Sequence, residues 1–172
     1  MKIAYTMAPG QGDTDLFLFS VAQDLGARGY QTCGTVQINT KRSDHPCDMD
    51  VQVLPDGPIL RISQSLGRNS KGCRLDPSAL EHAVGLVADR LTSGTEVLIV
   101  NKFGKHEADG RGFRTVIAEA IERDIPVLVG VNALNLAAFK EFVGPDALWL
   151  EPSAKAVISW FEATSQSERN VA

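Results

Sequence analysis

The residues of this chain whose types could do chemistry are five cations and one acid. The cations are Arg74, Lys102, Lys105, Arg111 and Arg114, and the acid is Glu107. Four of the cations crowd the segment 101–114, NKFGKHEADGRGFR, against the carboxylates of Glu107 and Asp109. Cations at the start of a helix oppose its macrodipole, typically by a few tenths of a kcal/mol each. An anion seated on the first-turn amides would remove that conflict. A solvated basic loop that simply precedes a helix accounts for the same residues, so this stretch alone leaves both readings standing. Arg74 closes a polar, Gly-rich stretch, SQSLGRNSKGCR over 63–74. Its guanidinium suits bidentate contact with a tetrahedral oxyanion. Glu107 is the one candidate base, with a salt bridge to Lys105 or Arg111 as the plainer use of the same carboxylate.

The elements around these residues must put them where a ligand can reach. Val97-Leu98-Ile99-Val100 is a short apolar run rich in β-branched residues, which suits a strand covered on both faces. The loop from Asn101 follows, and Asp109-Gly110-Arg111-Gly112 opens a helical pattern with Phe113, Ile117, Ala120 and Ile121 on one side. Asp109 is the expected N-cap. The order strand, polar loop, helix places the cations at the carboxyl end of a parallel strand, where open α/β sheets bind ligands.

A second unit of this kind opens the chain. Lys2 to Met7 reads as a strand, Ala8-Pro9-Gly10-Gln11-Gly12 as a turn, and Asp13 or Thr14 as the cap of a helix. That helix carries Leu16, Phe17, Leu18, Val21 and Leu25 and ends at Ala27-Arg28-Gly29. Against the phosphate-loop pattern G-x-x-x-x-G-K-[ST], Met7 stands at the first Gly, Gly12 at the second, Asp13 at the Lys and Thr14 at the hydroxyl. Gly10, Gly12 and Thr14 suit an anion loop, but Asp13 sets a negative charge beside any polyphosphate. At about 4 Å and near-surface screening that repulsion is on the order of several kcal/mol per charge pair. The loop therefore reads as a tight turn, not as a working triphosphate cradle.

The remaining chain alternates in the same manner. Gln31 to Ile38 is a strand and 39–48 a polar loop. Met49 to Leu54 and Pro58 to Ile62 flank the turn Pro55-Asp56-Gly57, as a hairpin that need not belong to the main sheet and could be an inserted flap. The 64–74 loop is long for an idle connection and suits a binding loop. Asp76-Pro77 starts a helix with Leu80, Val84, Val87 and Leu91 on its buried face and His82 at the surface. Ile125 to Val131 is a buried strand, Leu134 to Phe142 a helix, Ala147 to Leu150 a last strand and Pro152 to Phe161 a closing helix. Residues 1–165 are expected to form one α/β domain, a three-layer sandwich around a mostly parallel sheet with a small β-hairpin insertion, and 166–172 a frayed tail.

Bulk properties exclude several classes. With 172 residues, 44% hydrophobic and 22% charged, the chain has an ordinary globular composition. A net charge of -4 argues against broad binding to nucleic acid. No apolar run approaches the roughly 20 residues of a membrane span, and the first residues carry no leader pattern, so no membrane insertion and a cytoplasmic location are expected. Three widely spaced cysteines, Cys33, Cys47 and Cys73, fit neither a disulfide framework nor a metal knuckle, and no metal site is expected. Cys33 reads as a buried thiol, while Cys47 and Cys73 fall in polar loops. Self-association is left open.

With the pieces placed, the chain resembles a bacterial family of unknown function allied to P-loop nucleoside triphosphatases. The blocks NKFGKHEADGRGFR and ISQSLGRNSKGCRLD and the opening strand–loop–helix carry the resemblance. It implies a P-loop-like fold. Members are often encoded beside molybdate-uptake components, which implies a role near oxyanion handling. The related triphosphatases carry an acidic pair after the central strand, followed by Ile-Gly-Lys-Met-Glu, and those acids hold magnesium. Asn101 and Lys102 stand at the corresponding positions, and Phe103-Gly104-Lys105-His106-Glu107 continues the likeness. Lys102 could then replace the divalent ion as counter-charge for a bound anion. With Lys105, Arg111, Gly112, Arg114 and Arg74, and with Gly10, Gly12 and Thr14 of the first loop, it would line an anion site for molybdate, tungstate, sulfate, phosphate or a nucleotide phosphate. The expected function is non-hydrolytic binding of such a small anionic ligand. The alternatives are an unconventional nucleoside triphosphatase and a regulatory or interaction subunit.

Overall fold

A computed structural model describes residues 2–10, 12–40, 48–64 and 74–169 of the chain. The strands are β1 (Ile3–Thr6), β2 (Thr32–Thr40), β3 (Asp48–Val53), β4 (Ile59–Arg61), β5 (Val97–Phe103), β6 (Val127–Val131) and β7 (Leu148–Leu150). The helices are α1 (Asp13–Ala27), α2 (Pro77–Arg90), α3 (Lys105–Ala108), α4 (Arg114–Glu122), α5 (Leu136–Val143) and α6 (Ala154–Arg169). One sheet runs in the order β4-β3-β2-β5-β6-β1-β7. Its five strands from β2 to β7 pair parallel, and β3 and β4 add antiparallel to the β2 edge. The hairpin thus extends the main sheet instead of forming a separate flap, because Thr35 to Thr40 offer β3 a full antiparallel register.

Alternation along the central strands sends side chains into two apolar layers. Ala4, Val97, Ile99 and Leu128 pack with Leu18, Val21 and Leu25 of α1 and Val157 and Phe161 of α6. Ile3, Tyr5, Leu98, Val100, Val127 and Val129 face the other way, onto α2, α4 and α5. Burying a side chain of this size contributes about 1.5–3 kcal/mol, so these two faces dominate the stability of the sheet. Cys33 lies inside, its Sγ 3.6 Å from the Val87 carbonyl. Burial pushes its thiol up to about 11, which keeps it protonated and unreactive.

Local signals explain several boundaries. Asp76 Oδ1 accepts from the amides of Ser78 (2.9 Å) and Ala79 (3.2 Å), with Pro77 at the first helical position, as its sequence dictates. Other boundaries differ from expectation. Helix α1 is capped by Gly12 at φ 85°, not by Asp13 or Thr14, and Leu16 points outward at 65% exposure. Helix α6 continues through Arg169, past the Phe161 end expected for the closing helix. Cys47, Cys73 and positions 65–73 of the expected binding loop lie outside the described residues. Among the described residues no helix is long and apolar enough to cross a membrane.

Candidate functional site

Helices α1 and α5 leave the adjacent strands β1 and β6 toward opposite faces of the sheet. Where neighbouring parallel strands part company in this way, a crevice opens beyond their carboxyl ends. A cavity of about 720 Å³ lies there. Its walls are the β1–α1 turn with Gly10, Gly12 and Thr14, the end of β5 with Asn101 and Lys102, and the end of β6 with the residues that follow it, Gly130 to Leu134.

A bulge lifts Lys102 into this crevice. Between β5 and β6 the register advances from Val100↔Val129 to Phe103↔Val131, so β5 carries one extra residue there. Phe103 beyond it is anchored against Phe139, with ring centroids 5.3 Å apart. Asn101 is buried, Lys102 exposed and Phe103 buried. The bulge also dictates Gly130, since a Cβ at that position would stand 2.1 Å from the Asn101 carbonyl oxygen.

Both ends of the Asn101 side-chain amide are engaged within the protein. Its Nδ2 donates to Asp15 Oδ1 at 2.9 Å, and its Oδ1 accepts from the Gln37 amide at 2.9 Å. These bonds tie β5 to the first turn of α1 and to β2. In the first loop, Thr14 Oγ1 accepts from the Ala8 amide at 2.9 Å. The Asp13 carboxylate folds over Gly10, where an added Cβ would meet its Oδ2 at 2.1 Å. Lys102 is the single cation lining this cavity among the described residues, with Asp15 the single acid. Asp13, at the position of the phosphate-loop Lys, turns its carboxylate over the loop, and Asn101, where the resemblance places a magnesium-holding acid, is an amide bonded to Asp15 and Gln37.

A second cavity of about 420 Å³ adjoins the first, and Asn101, Lys102, Asn132 and Leu134 line both. Arg74 and Lys105 face the second cavity together with Lys102. Arg74 also stands 4.0 Å from Asp48.

The other expected anion ligands are placed elsewhere. Arg114 stacks over the Phe142 ring at 4.2 Å and its Nη1 lies 3.4 Å from the Glu107 carbonyl oxygen. Arg111 is exposed, and neither it nor Arg114 lines either cavity. The Gly112 amide donates to Glu81 Oε1 at 3.0 Å, the Gly110 amide to the Glu107 carbonyl and the Arg111 amide to the His106 carbonyl. This turn satisfies its own donors and offers no amide nest, so the five cations do not converge on one seat.

Glu107 explains the turn. Its Oε2 accepts from the Gly104 amide at 2.9 Å and its Oε1 from the Phe113 amide at 3.3 Å. The carboxylate pins both ends of the segment instead of pairing with Lys105 or Arg111, the plainer use weighed for it. Asp109 consequently ends α3 instead of capping a helix, and α4 begins only at Arg114. Burial raises the Glu107 pKa, outweighing the amides of Gly104 and Phe113 and the charge of His106. Glu81 is shifted the other way, first by its contact with His106 Nε2 at 2.7 Å and also by the Gly112 amide. Gly112, at φ 59°, leaves room that a Cβ would fill, 2.3 Å from Glu107 Oε1.

Sequence reasoning missed Asp15, Asn132 and Leu134 in the first cavity and Gln37 and Asn135 in the second. For Asn132 the signal exists: a polar residue directly follows the buried strand β6, as Asn101 and Lys102 follow Val100.

The solution structure of a human cancer-related nucleoside triphosphatase superposes on 99% of this chain and 97% of its own, with a TM-score of 0.62 at 15% identity. Likeness at that identity speaks for the fold, a P-loop triphosphatase-like α/β sheet. In sequence, the chain is 33% identical over 166 residues to the Molybdenum import ATP-binding protein ModC 2 of Bradyrhizobium diazoefficiens. The match covers 95% of this chain and 18% of that much longer relative. The model of a family described as a protein of unknown function, DUF2478, matches residues 3–160, and to that family this chain belongs.

Proposed function

We propose that this domain is a non-hydrolytic binding module for a small oxyanion or a nucleotide phosphate, seated at the crevice beyond β1, β5 and β6. The observation that carries the reading is the position of Lys102. It rises on a bulge into the crevice that this fold reserves for ligands, and it lines both cavities there. An ammonium group beside a part-enclosed cavity supplies counter-charge to an anion without a metal.

The exchange of charges supports binding over hydrolysis. Asp13 stands where a phosphate loop needs a cation, and Asn101 is held between Asp15 and Gln37 where magnesium would need an acid. Glu107, the one candidate base, is turned onto the amides of its own loop. The name of the Bradyrhizobium relative couples molybdenum import with ATP binding, which makes molybdate and ATP the first ligands to try.

The test is a thermal-shift screen with molybdate, tungstate, phosphate and ATP, each with and without magnesium, beside a phosphate-release assay. Stabilisation by an anion irrespective of magnesium, with no release, is expected. Magnesium-dependent release abolished by Glu107→Gln would replace this reading with hydrolysis. A regulatory or interaction subunit is the second reading. It is favoured by Leu148 and Trp149, each 51% exposed on the edge strand β7, and would show as co-purification with a partner and no small-molecule shift.

A further inference from the structure

The second cavity differs in chemistry from the first. Three cations line it: Lys102 near the end of β5, Lys105 at the start of α3, and Arg74 before α2, 4.0 Å from Asp48 of the hairpin. Met49, Val51, Ile62, Leu80 and Phe113 supply its apolar lining. Val51 and Ile62 belong to a small apolar cluster of their own between the hairpin and α2, with Met49 packed against it. Glu107 is the single acid lining the cavity among the described residues, and its carboxylate is engaged by the Gly104 and Phe113 amides.

A volume of about 420 Å³ falls within the range of small-molecule sites, roughly 300–1,000 Å³. An inorganic tetrahedral anion would fill a small part of it. Such an ion would also make no use of the apolar lining. A ligand with a flat apolar body and one anionic group uses both kinds of lining: the body itself leaves water against Met49, Val51 and Phe113, and the anion meets the lysines. The Met49 thioether and the Phe113 ring are suited to an aromatic face. Leu134, 92% exposed and lining both cavities, stands ready to cover such a body at the rim.

We propose that the second cavity binds an organic anion, an aryl or heteroaryl phosphate or carboxylate, with its ring against the hairpin wall and its charge at Lys102 and Lys105. The proposal deepens the anion-binding reading and rests on it only through Lys102, which serves both cavities.

The test compares 1-naphthyl phosphate with inorganic phosphate by isothermal titration calorimetry on the full chain. The aryl ester is expected to bind at least about tenfold tighter, from the apolar area its ring buries. Met49→Trp fills the cavity from its wall and should erase that gain while leaving inorganic phosphate within about twofold. Lys105→Glu, an exposed change that does not disturb the core, should weaken the aryl ester by about tenfold and inorganic phosphate much less. Equal affinity for the two probes, or a gain that survives both substitutions, overturns the proposal. If inorganic phosphate binds and the aryl group adds nothing, this inference alone fails. If the aryl ester binds in a Met49-dependent way and inorganic phosphate does not bind, this inference stands and the oxyanion reading of the first cavity fails.

Discussion

Asn101 Nδ2 lies 2.9 Å from Asp15 Oδ1, one residue before Lys102 in the strand, and both partners are buried. An amide is what allows this contact, because a carboxylate at position 101 would face another carboxylate with no donor between them. The same amide accepts from the Gln37 backbone, so one side chain joins α1, β5 and β2 under the floor of the crevice. The swap from acid to amide is therefore built into the packing, and the lysine that follows it inherits the exposed position.

Asn101→Asp is expected to destabilise the fold by about 2–4 kcal/mol in urea denaturation, since it removes a buried donor and opposes two acids. Adding Asp15→Asn should recover part of the loss by reversing donor and acceptor. No loss in the single variant would mean that the pair does not support the crevice floor.

Gly130→Ala should cost about 1–3 kcal/mol, because its Cβ would press on the bulged Asn101 carbonyl at 2.1 Å and on Leu18 Cδ1 at 2.8 Å. Thermal unfolding measures the loss. A neutral result would show that the bulge carrying Lys102 yields freely.

Glu107 gives a pH signature. Burial places its folded pKa above the ordinary value of 4.5, so its protonated form favours the folded chain. The stability it contributes is full below the unfolded pKa and is lost as pH rises through the raised folded value. The stability of the natural chain minus that of Glu107→Gln should thus fall as pH rises from about 4 toward neutrality. Urea midpoints across that range measure it, and a difference that grows with pH would contradict the assignment.

Asp13→Lys restores the cation that a phosphate loop requires. ATP affinity without magnesium, measured by calorimetry, should increase by about tenfold. Unchanged affinity would mean that the β1–α1 turn does not face the ligand.

Where a structural signal is local, the chain states it openly. Asp76-Pro77 announces α2, and the apolar run Val97 to Val100 announces the central strand. The segment 104–113 is harder, because its helical residues split into two pieces around a carboxylate. Gly104 and Glu107 are spaced for half a capping box, a signal that competes with the Asp109 cap and prevails because Glu107 also reaches Phe113. Arg114 could not be placed from sequence, since its partner Phe142 belongs to a different helix. The bulge was equally hidden: it exists only in the pairing of β5 with β6, and Gly130 looks like any strand glycine until Asn101 O approaches it.

The most direct measurement is calorimetric titration of molybdate and of inorganic phosphate into the natural chain and into Lys102→Glu. At least one anion should bind the natural chain, with affinity falling at least about tenfold in the variant while its circular dichroism spectrum is unchanged. Equal affinity in the two proteins, or binding of neither anion to the natural chain, would contradict an anion seat organised by Lys102.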